Sequence, residues 1–180
     1  MKQRILDTSH QLFDEMLDFA GELIRTPSPS GGEKALAELC AAQMRQLGYD
    51  EVFIDAIGNV IGRYAADSAT ANPKVLMTGS HFDTVRNGGR YDGRLGILLP
   101  IAVVGALRDA GIRLPYHFEV VGFAEEEGLR FKTSFLASSV LAGRFDPALL
   151  DRADVDGVTM REALADSGLP GAGDIDALRA

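Results

Sequence analysis

Apolar residues in the first quarter of the chain recur at the spacing of two amphipathic helices. One series covers residues 5–24 and the other covers residues 36–47, and each places its apolar side chains on one face. A turn with two prolines separates the two series, because proline lacks a backbone donor and restricts the residue before it. Ser30 and Glu33 have the spacing of a capping box at the start of the second helix. Cys40 lies on its apolar face, which predicts a small core residue.

Shorter apolar stretches farther along the chain have the pattern of strands. Residues 52–54 and 60–61 flank a turn-like Gly-Asn, and residues 74–78 form a nearly continuous apolar run. Such a run is typical of a strand inside a sheet that is covered on both faces. A helix-length apolar segment, residues 95–110, and a second buried strand, residues 118–124, follow it. Strand, helix and strand in this order predict a βαβ unit with a parallel pair, and therefore an α/β fold.

Several residues mark where helices begin or are interrupted. Pro100 falls within the third helical segment, where an interior proline costs about 3 kcal/mol, so it lies either in the first turn or at a kink. Residues 133–141 can form a short helix. Asp146, which precedes a proline, and Thr159, which precedes Glu162 by three residues, predict two further helix starts.

The composition excludes several classes of protein. The chain has 180 residues, 46% hydrophobic and 24% charged, which is typical of one globular domain. A net charge of −8 argues against a nucleic-acid or anionic-membrane surface. One cysteine permits no internal disulfide, and no apolar run is long enough to cross a bilayer. These features predict a cytoplasmic protein.

Polar clusters follow the two predicted strands of the βαβ unit. His81 and Asp83 come directly after the first strand, and three consecutive glutamates, residues 125–127, come after the second. Asp92 lies between them in a glycine-rich loop. Imidazole nitrogens and carboxylate oxygens are ligands for divalent metals, and the carboxyl ends of strands line the ligand crevice of α/β sheets. The pattern indicates a metal-dependent hydrolase.

Each of these features alone has a simpler interpretation. The His-x-Asp pair at residues 81–83 is common for a hydrogen-bonded surface histidine, and three carboxylates are common on a solvated loop. The glycine-rich loop is either a plain turn or a phosphate cradle, although no Gly-Lys-Ser/Thr follows it. His117 opens the second strand about nine residues before the glutamates, roughly 30 Å away in an extended strand, and cannot share their metal. His10 is expected at the surface.

Three segments together resemble a known family. They read His-Phe-Asp-Thr-Val at 81–85, Asn-Gly-Gly-Arg-Tyr-Asp-Gly at 87–93 and Glu-Glu-Gly-Leu-Arg-Phe at 126–131. In this order and spacing they resemble the M20-type amidohydrolases, in the branch of allantoate amidohydrolase, N-carbamoyl-L-amino-acid hydrolase and beta-ureidopropionase. The resemblance implies a metallo-aminopeptidase-like catalytic domain, an α/β three-layer sandwich with a mixed, largely parallel sheet, present here incompletely.

The resemblance also implies roles for individual residues. His81 would bind one metal ion, Asp92 would bridge two, and Glu127 would bind the second. Glu126 would be the general base and Asp83 would orient His81. The metals would be two divalent ions, zinc or manganese, and the peptide after Asp92 would be cis. Glu125, often not acidic in this family, receives no role.

The implied reaction is hydrolysis of the C–N bond of a ureido substrate such as allantoate or an N-carbamoyl amino acid. The family has further histidines and a lid and dimerisation domain, which residues 1–180 lack. The chain is therefore expected to be the N-terminal portion of the catalytic domain, inactive alone, with an exposed apolar patch, and a homodimer when complete. An M20 peptidase or deacylase and a non-catalytic domain fragment remain as alternatives. The peptidases usually have a Lys-Gly-type motif after the bridging aspartate, which Asp92-Gly93-Arg94 lacks.

Overall fold

Two helices precede the first strand in the computed structural model, which describes residues 3, 6, 7, 10 and 12–169. The start of the predicted first helix at residue 5 lies outside the described residues. The elements with defined bounds are α1 (Phe13–Arg25), α2 (Lys34–Gln46), β1 (Glu51–Ile54), β2 (Val60–Tyr64), β3 (Val75–His81), α3 (Arg94–Asp109), β4 (His117–Phe123), α4 (Leu136–Leu141), a 3₁₀ helix (Pro147–Asp151) and α5 (Met160–Asp166).

The four strands form one mixed sheet in the order β1-β2-β4-β3. β3 and β4 are parallel and α3 connects them, so the predicted βαβ unit is confirmed. β1 pairs with β2, and β2 with β4, in antiparallel orientation. Only one of the three strand pairs is therefore parallel, which is a smaller share than the expected, largely parallel sheet. The short turn between β1 and β2 accounts for the first antiparallel pair, because it can join only antiparallel neighbours.

The core lies between the sheet and the first three helices. Val60 of β2 and Val120 of β4 point to the same face of the sheet and are fully buried. They share a hydrophobic cluster with Leu36 and Met44 of α2 and Ile101 of α3. Phe53, on the opposite face of β1, is 48% exposed. The described helices α1 to α3 therefore supply one of the two outer layers of the predicted sandwich, which is consistent with an incomplete fold.

β3 lies at an edge of the sheet and has exposed side chains on both faces, so the expectation that it is covered on both faces is wrong. An apolar run predicts burial, but it cannot distinguish a central strand from an edge strand that lacks a covering layer. The exposed fractions of Val75, Leu76 and Met77 are 50%, 48% and 44%. Three apolar side chains of α3, which packs on β3, are also exposed. These exposed apolar residues of β3 and α3 correspond to the expected exposed patch, and we call them the apolar edge surface: Val75, Leu76, Met77, Leu95, Leu99 and Val103.

Two predicted helix starts are confirmed, and the position of Pro100 is now defined. Asp146 accepts a hydrogen bond from the backbone N–H of Ala148, and Thr159 forms a capping box with Glu162. Pro100 lies inside α3, which begins six residues earlier, so the first-turn interpretation is wrong. The proline is accommodated in the helix interior.

Cys40 is 1% exposed within the core cluster, as predicted, and its burial raises the pKa of the thiol to about 12. His10 is exposed, as expected. Among the described residues, no helix combines the length and the apolar character that crossing a bilayer requires.

Candidate metal centre

The pairing of β3 with β4 places the polar clusters at the same end of the sheet, beyond the carboxyl ends of both strands. His81 is the last residue of β3 and lies opposite Phe123, the last residue of β4. Glu126 and Glu127 follow β4 within four residues, and the loop after β3 returns to the same edge immediately before α3. Parallel strands end at a common edge, so the convergence follows from the topology.

Three side chains meet there with the geometry of a metal site. Ligand atoms of His81, Asp92 and Glu127 all lie within 4.8 Å of one another. The Nε2 atom of His81 is 3.6 Å from Asp92 Oδ1 and 4.0 Å from Glu126 Oε2. The predicted convergence of these residues is confirmed. The separate roles assigned to them stay predictions.

His81 is held so that Nε2 faces this cluster. Its Nδ1 atom lies 2.9 Å from the backbone carbonyl oxygen of Asp83 and 3.5 Å from the Asp83 carboxylate. With Nδ1–H donating to the carbonyl, Nε2 is the ring nitrogen that faces the cluster. The main-chain carbonyl of Asp83 is therefore the closer partner of the ring, and the predicted orienting role of Asp83 stays a prediction. The Asp83 side chain is the main cause of a pKa of about 9 for His81, well above the ordinary value. Burial acts in the opposite direction, and the charge of Glu126 adds to the increase.

The Asp83 carboxylate also fixes the segment that carries the glutamates. Asp83 is fully buried and accepts hydrogen bonds from the backbone N–H groups of Glu126 and Glu127 at 3.0 and 3.1 Å. The Ser30 hydroxyl donates a third bond to it, at 2.6 Å. Burial alone would raise the pKa of Asp83, but its bonds to His81, Ser30 and the backbone outweigh burial and leave the pKa lowered. Asp83 is thus a buried anion that joins three parts of the chain.

Ser30 and Glu33 belong to this site, and the predicted capping box is wrong. Glu33 is the N-cap of α2 without any side-chain capping bond. Its carboxylate instead accepts the backbone N–H of Glu125 at 3.1 Å, while Ser30 donates to Asp83. Both residues are buried. The Ser-x-x-Glu spacing is the only signal in the sequence, and it points to local capping as readily as to distant partners.

Gly93 allows the loop to approach His81 closely. Its φ is +66°, and a Cβ atom there would lie 2.3 Å from the His81 carbonyl oxygen and 2.6 Å from the ring. A side chain would collide with the histidine, so the position requires glycine. The expectation of a cis peptide after Asp92 is wrong, because the described residues contain no cis peptide bond. The chain turns through the positive φ of Gly93 instead.

The carboxylates at this edge repel one another, and their chemistry suits a divalent cation. Glu125 is 8% exposed and its Oε2 atom has no hydrogen-bond partner among the described residues. Its burial, followed by the charges of Glu33 and Asp83, raises its pKa to about 8. Burial and the charge of Glu126 raise the pKa of Glu127. One imidazole nitrogen and several carboxylate oxygens are a donor set that zinc and manganese accept, so the residues present fit such an ion.

Fold and site together define the class: an α/β domain with a candidate His-Asp-Glu metal centre at the carboxyl ends of two parallel strands. No family model matches the sequence.

Several individual proteins are similar to most of the chain. The chain is 37% identical over 150 residues to an N-carbamoyl-L-amino acid amidohydrolase of Geobacillus stearothermophilus, a match that covers 78% of this chain and 36% of that protein. It is 36% identical over 154 residues to allantoate deiminase 1 of Glycine max, covering 84% and 31% of the two chains. A hydantoinase/carbamoylase family amidase from Burkholderia ambifaria superposes with a TM-score of 0.76 at 32% identity, covering 89% and 40%.

The chain belongs to this family of hydantoinase/carbamoylase amidases, as the resemblance of its three motifs predicted. It spans about a third of the length of the curated relatives it matches, 36%, 30% and 31% for the first three. That partial coverage fits an N-terminal part of such a protein.

Proposed function

We propose that this chain is part of a metal-dependent amidohydrolase that cleaves the C–N bond of a ureido group. The observation that carries the proposal is the cluster of His81, Asp92 and Glu127, with Glu126 beside it. The names of the relatives support the substrate class, since N-carbamoyl-L-amino acids and allantoate both contain a ureido group.

His81, Asp92 and Glu127 would hold the divalent ions, zinc or manganese. Such ions polarise a carbonyl group and lower the pKa of water when they are bound. Asp83 contributes by fixing the tautomer of His81, so that Nε2 is the nitrogen available to a ligand. Asp92 reaches the cluster from the exposed loop before α3, and 52% of its side chain is exposed.

Glu126 is the proton acceptor in this proposal. Its Oε2 atom is 4.0 Å from His81 Nε2, and 24% of its side chain is exposed, so that water can reach it. Its backbone N–H donates to the buried Asp83 carboxylate, which fixes the main chain from which the Glu126 side chain extends beside the cluster. A carboxylate in this position can take a proton from water that attacks the ureido carbonyl and return it to the leaving nitrogen.

Substitution of the two glutamates separates base from ligand, in a complete enzyme that contains this chain. Glu126→Gln should abolish turnover and leave the metal content nearly unchanged, because only the proton acceptor is lost. Glu127→Ala should lower metal occupancy as well as turnover. Ammonia release from allantoate and N-carbamoyl amino acids, with metal analysis of the same samples, measures both effects.

Glu22→Gln is the control, since Glu22 is exposed on α1. Loss of metal in Glu126→Gln, or full occupancy and rate in Glu127→Ala, would show that the two roles are misassigned.

We further propose that residues 1–180 alone do not form an active enzyme. The described cluster offers three protein donors for two ions, whereas catalytic zinc sites usually have three protein ligands for each ion. The apolar edge surface supports the same conclusion, because exposed patches of this kind mark contact surfaces. The additional two thirds of sequence present in the relatives would cover it, and the complete protein would be a homodimer. Ammonia release by the isolated chain with added Zn²⁺ or Mn²⁺, at rates comparable with those of a complete relative, would contradict this.

A further inference from the structure

A basic cavity of about 200 Å³ lies on the chain between the end of α1 and the loop that follows β3. Its lining includes Arg25, Arg90 and Arg94, and no aspartate or glutamate is among the described residues that line it. Thr84 and Asn87 add neutral polar side chains. None of the residues of the candidate metal centre lines this cavity, so it is a separate feature of the fold.

The buried cation of this cavity is Arg94, which is only 7% exposed. Its Nη2 atom donates to the Ser28 hydroxyl at 2.9 Å and to the Thr26 carbonyl at 3.3 Å. Its Nε atom is buried and has no hydrogen-bond partner among the described residues. Burial lowers the pKa of Arg94.

No carboxylate compensates this charge. Within the described part of the chain, no aspartate or glutamate forms an ion pair with Arg94, whereas Arg63, Arg113, Arg130 and Arg161 each pair with an acid. A buried cation without a counter-charge is costly, because its desolvation is not offset by a partner. The chain as a whole has a net charge of −8, whereas this cavity is lined by three arginines and by no acidic residue among the described residues, so its local charge is opposite in sign.

We propose that this cavity binds a small oxyanion, with Arg94 at its base and Arg90 at its rim. Carboxylate and phosphate groups share the chemistry that guanidinium groups recognise, which is two or more oxygens that accept parallel N–H bonds. A bound oxyanion would supply the missing counter-charge of Arg94, and the exposed Arg90 could close over it. The site is independent of the proposed hydrolase function, since it contains none of the residues assigned to that reaction.

The alternative is that Arg94 is purely structural and merely joins Thr26 to Ser28. The two explanations differ in what a dissolved anion does. If Arg94 is structural, its loss lowers stability but phosphate has no specific effect. If the cavity is a site, anions bind saturably and stabilise the chain beyond the general effect of salt.

The test is a titration of the 180-residue chain with inorganic phosphate and, separately, with acetate, at constant ionic strength set by chloride. Isothermal calorimetry and the thermal unfolding midpoint are the readouts. We expect one saturable site and a midpoint that rises with anion concentration. Tighter binding of phosphate than of acetate would identify a phosphate group as the ligand type, and the opposite order a carboxylate. Either order supports the site.

Variants of the arginines locate the binding. Arg90→Gln should weaken binding about tenfold, since one charge-assisted bond is lost. Arg94→Gln should abolish it, and Arg94→Lys, which keeps the charge but not the planar fork, should restore it in part. Arg86→Gln is the matched control, because Arg86 is exposed on the same loop but does not line the cavity.

Two results would overturn the proposal. One is an effect of phosphate and acetate no larger than that of chloride at the same ionic strength. The other is equal weakening by Arg86→Gln and Arg90→Gln, which would indicate diffuse electrostatic attraction instead of a site. Because Arg90 is exposed, its variant keeps the test valid even if Arg94→Gln fails to fold.

Discussion

Asp83→Asn tests the central hydrogen-bond arrangement of the site with a change of almost no volume. The carboxylate is fully buried, and both of its oxygens accept hydrogen bonds. Oδ2 accepts the Ser30 hydroxyl at 2.6 Å and the Glu127 N–H at 3.1 Å, and Oδ1 accepts the Glu126 N–H at 3.0 Å. Asparagine has one acceptor oxygen and one NH₂ group. Whichever way the amide is turned, its NH₂ group faces one of the two backbone N–H donors.

The size of the effect follows from this count. A hydrogen bond to a charged group contributes about 1.5–3 kcal/mol, and a buried donor left without an acceptor costs about 1–3 kcal/mol. The Ser30 hydroxyl can rotate and accept from the new NH₂ group, so that part is retained. One charge-assisted bond lost and one N–H left unpaired give a destabilisation of about 2.5–6 kcal/mol. That is a large part of the roughly 5–15 kcal/mol that stabilises a typical domain.

Urea unfolding of the metal-free chain measures this loss, with Asp92→Asn as the control. Asp92 belongs to the same cluster, but its side chain is 52% exposed, so its change should cost less than about 1 kcal/mol. An NMR titration of the histidines gives a second readout. The pKa of His81, about 9, should fall in Asp83→Asn because its main cause is removed. Equal stability losses in the two variants, or an unchanged His81 pKa, would refute the reasoning.

Two further predictions concern residues around the site. Burial is the main cause that raises the pKa of Glu33 to about 7, from about 4.5 in the unfolded chain. The protonated form therefore stabilises the fold fully below pH 4.5, and this contribution is lost as the pH rises through 7. The difference between 4.5 and about 7 corresponds to roughly 3 kcal/mol. Glu33→Gln should therefore gain stability relative to the native chain between about pH 5 and pH 8, and parallel pH profiles of urea unfolding for the two chains would contradict this. Gly93→Ala should destabilise the chain more than Gly157→Ala, because both glycines have positive φ but only a Cβ at Gly93 collides with His81. Equal urea midpoints for the two alanine variants would show that the close approach to His81 has no energetic weight.

The periodicity of apolar residues predicted the βαβ unit and therefore the convergence of the site. A strand that ends at His81 and another that ends just before the glutamates need only be parallel neighbours for these groups to meet, and β3 and β4 are. The spacing of the three motifs also predicted the family. These features are visible in sequence because they depend on local pattern and on chain topology.

The residues that the sequence did not reveal are those whose partners are far away along the chain. Ser30 bonds Asp83 across 53 positions, and Glu33 bonds the backbone of Glu125 across 92. Their spacing was explained equally well by local capping, which the fold does not use. The exposure of β3 was missed for a related reason, since an apolar run does not reveal whether a neighbouring layer is present to cover it.

The hydrogen bonds divide the candidate centre into a fixed part and a loose part. His81 and the backbone of Glu126 and Glu127 are tied to Asp83, which is itself buried, so these groups keep their positions without any ion. Asp92 arrives on an exposed loop, and its closest charged contact is His81 at 3.6 Å. Like charges at this edge favour displacement of the group that is least restrained, and that group is Asp92. Whatever limits the movement of this loop therefore controls how well the centre can close around a cation. An ion or a covering segment would each act on that loop.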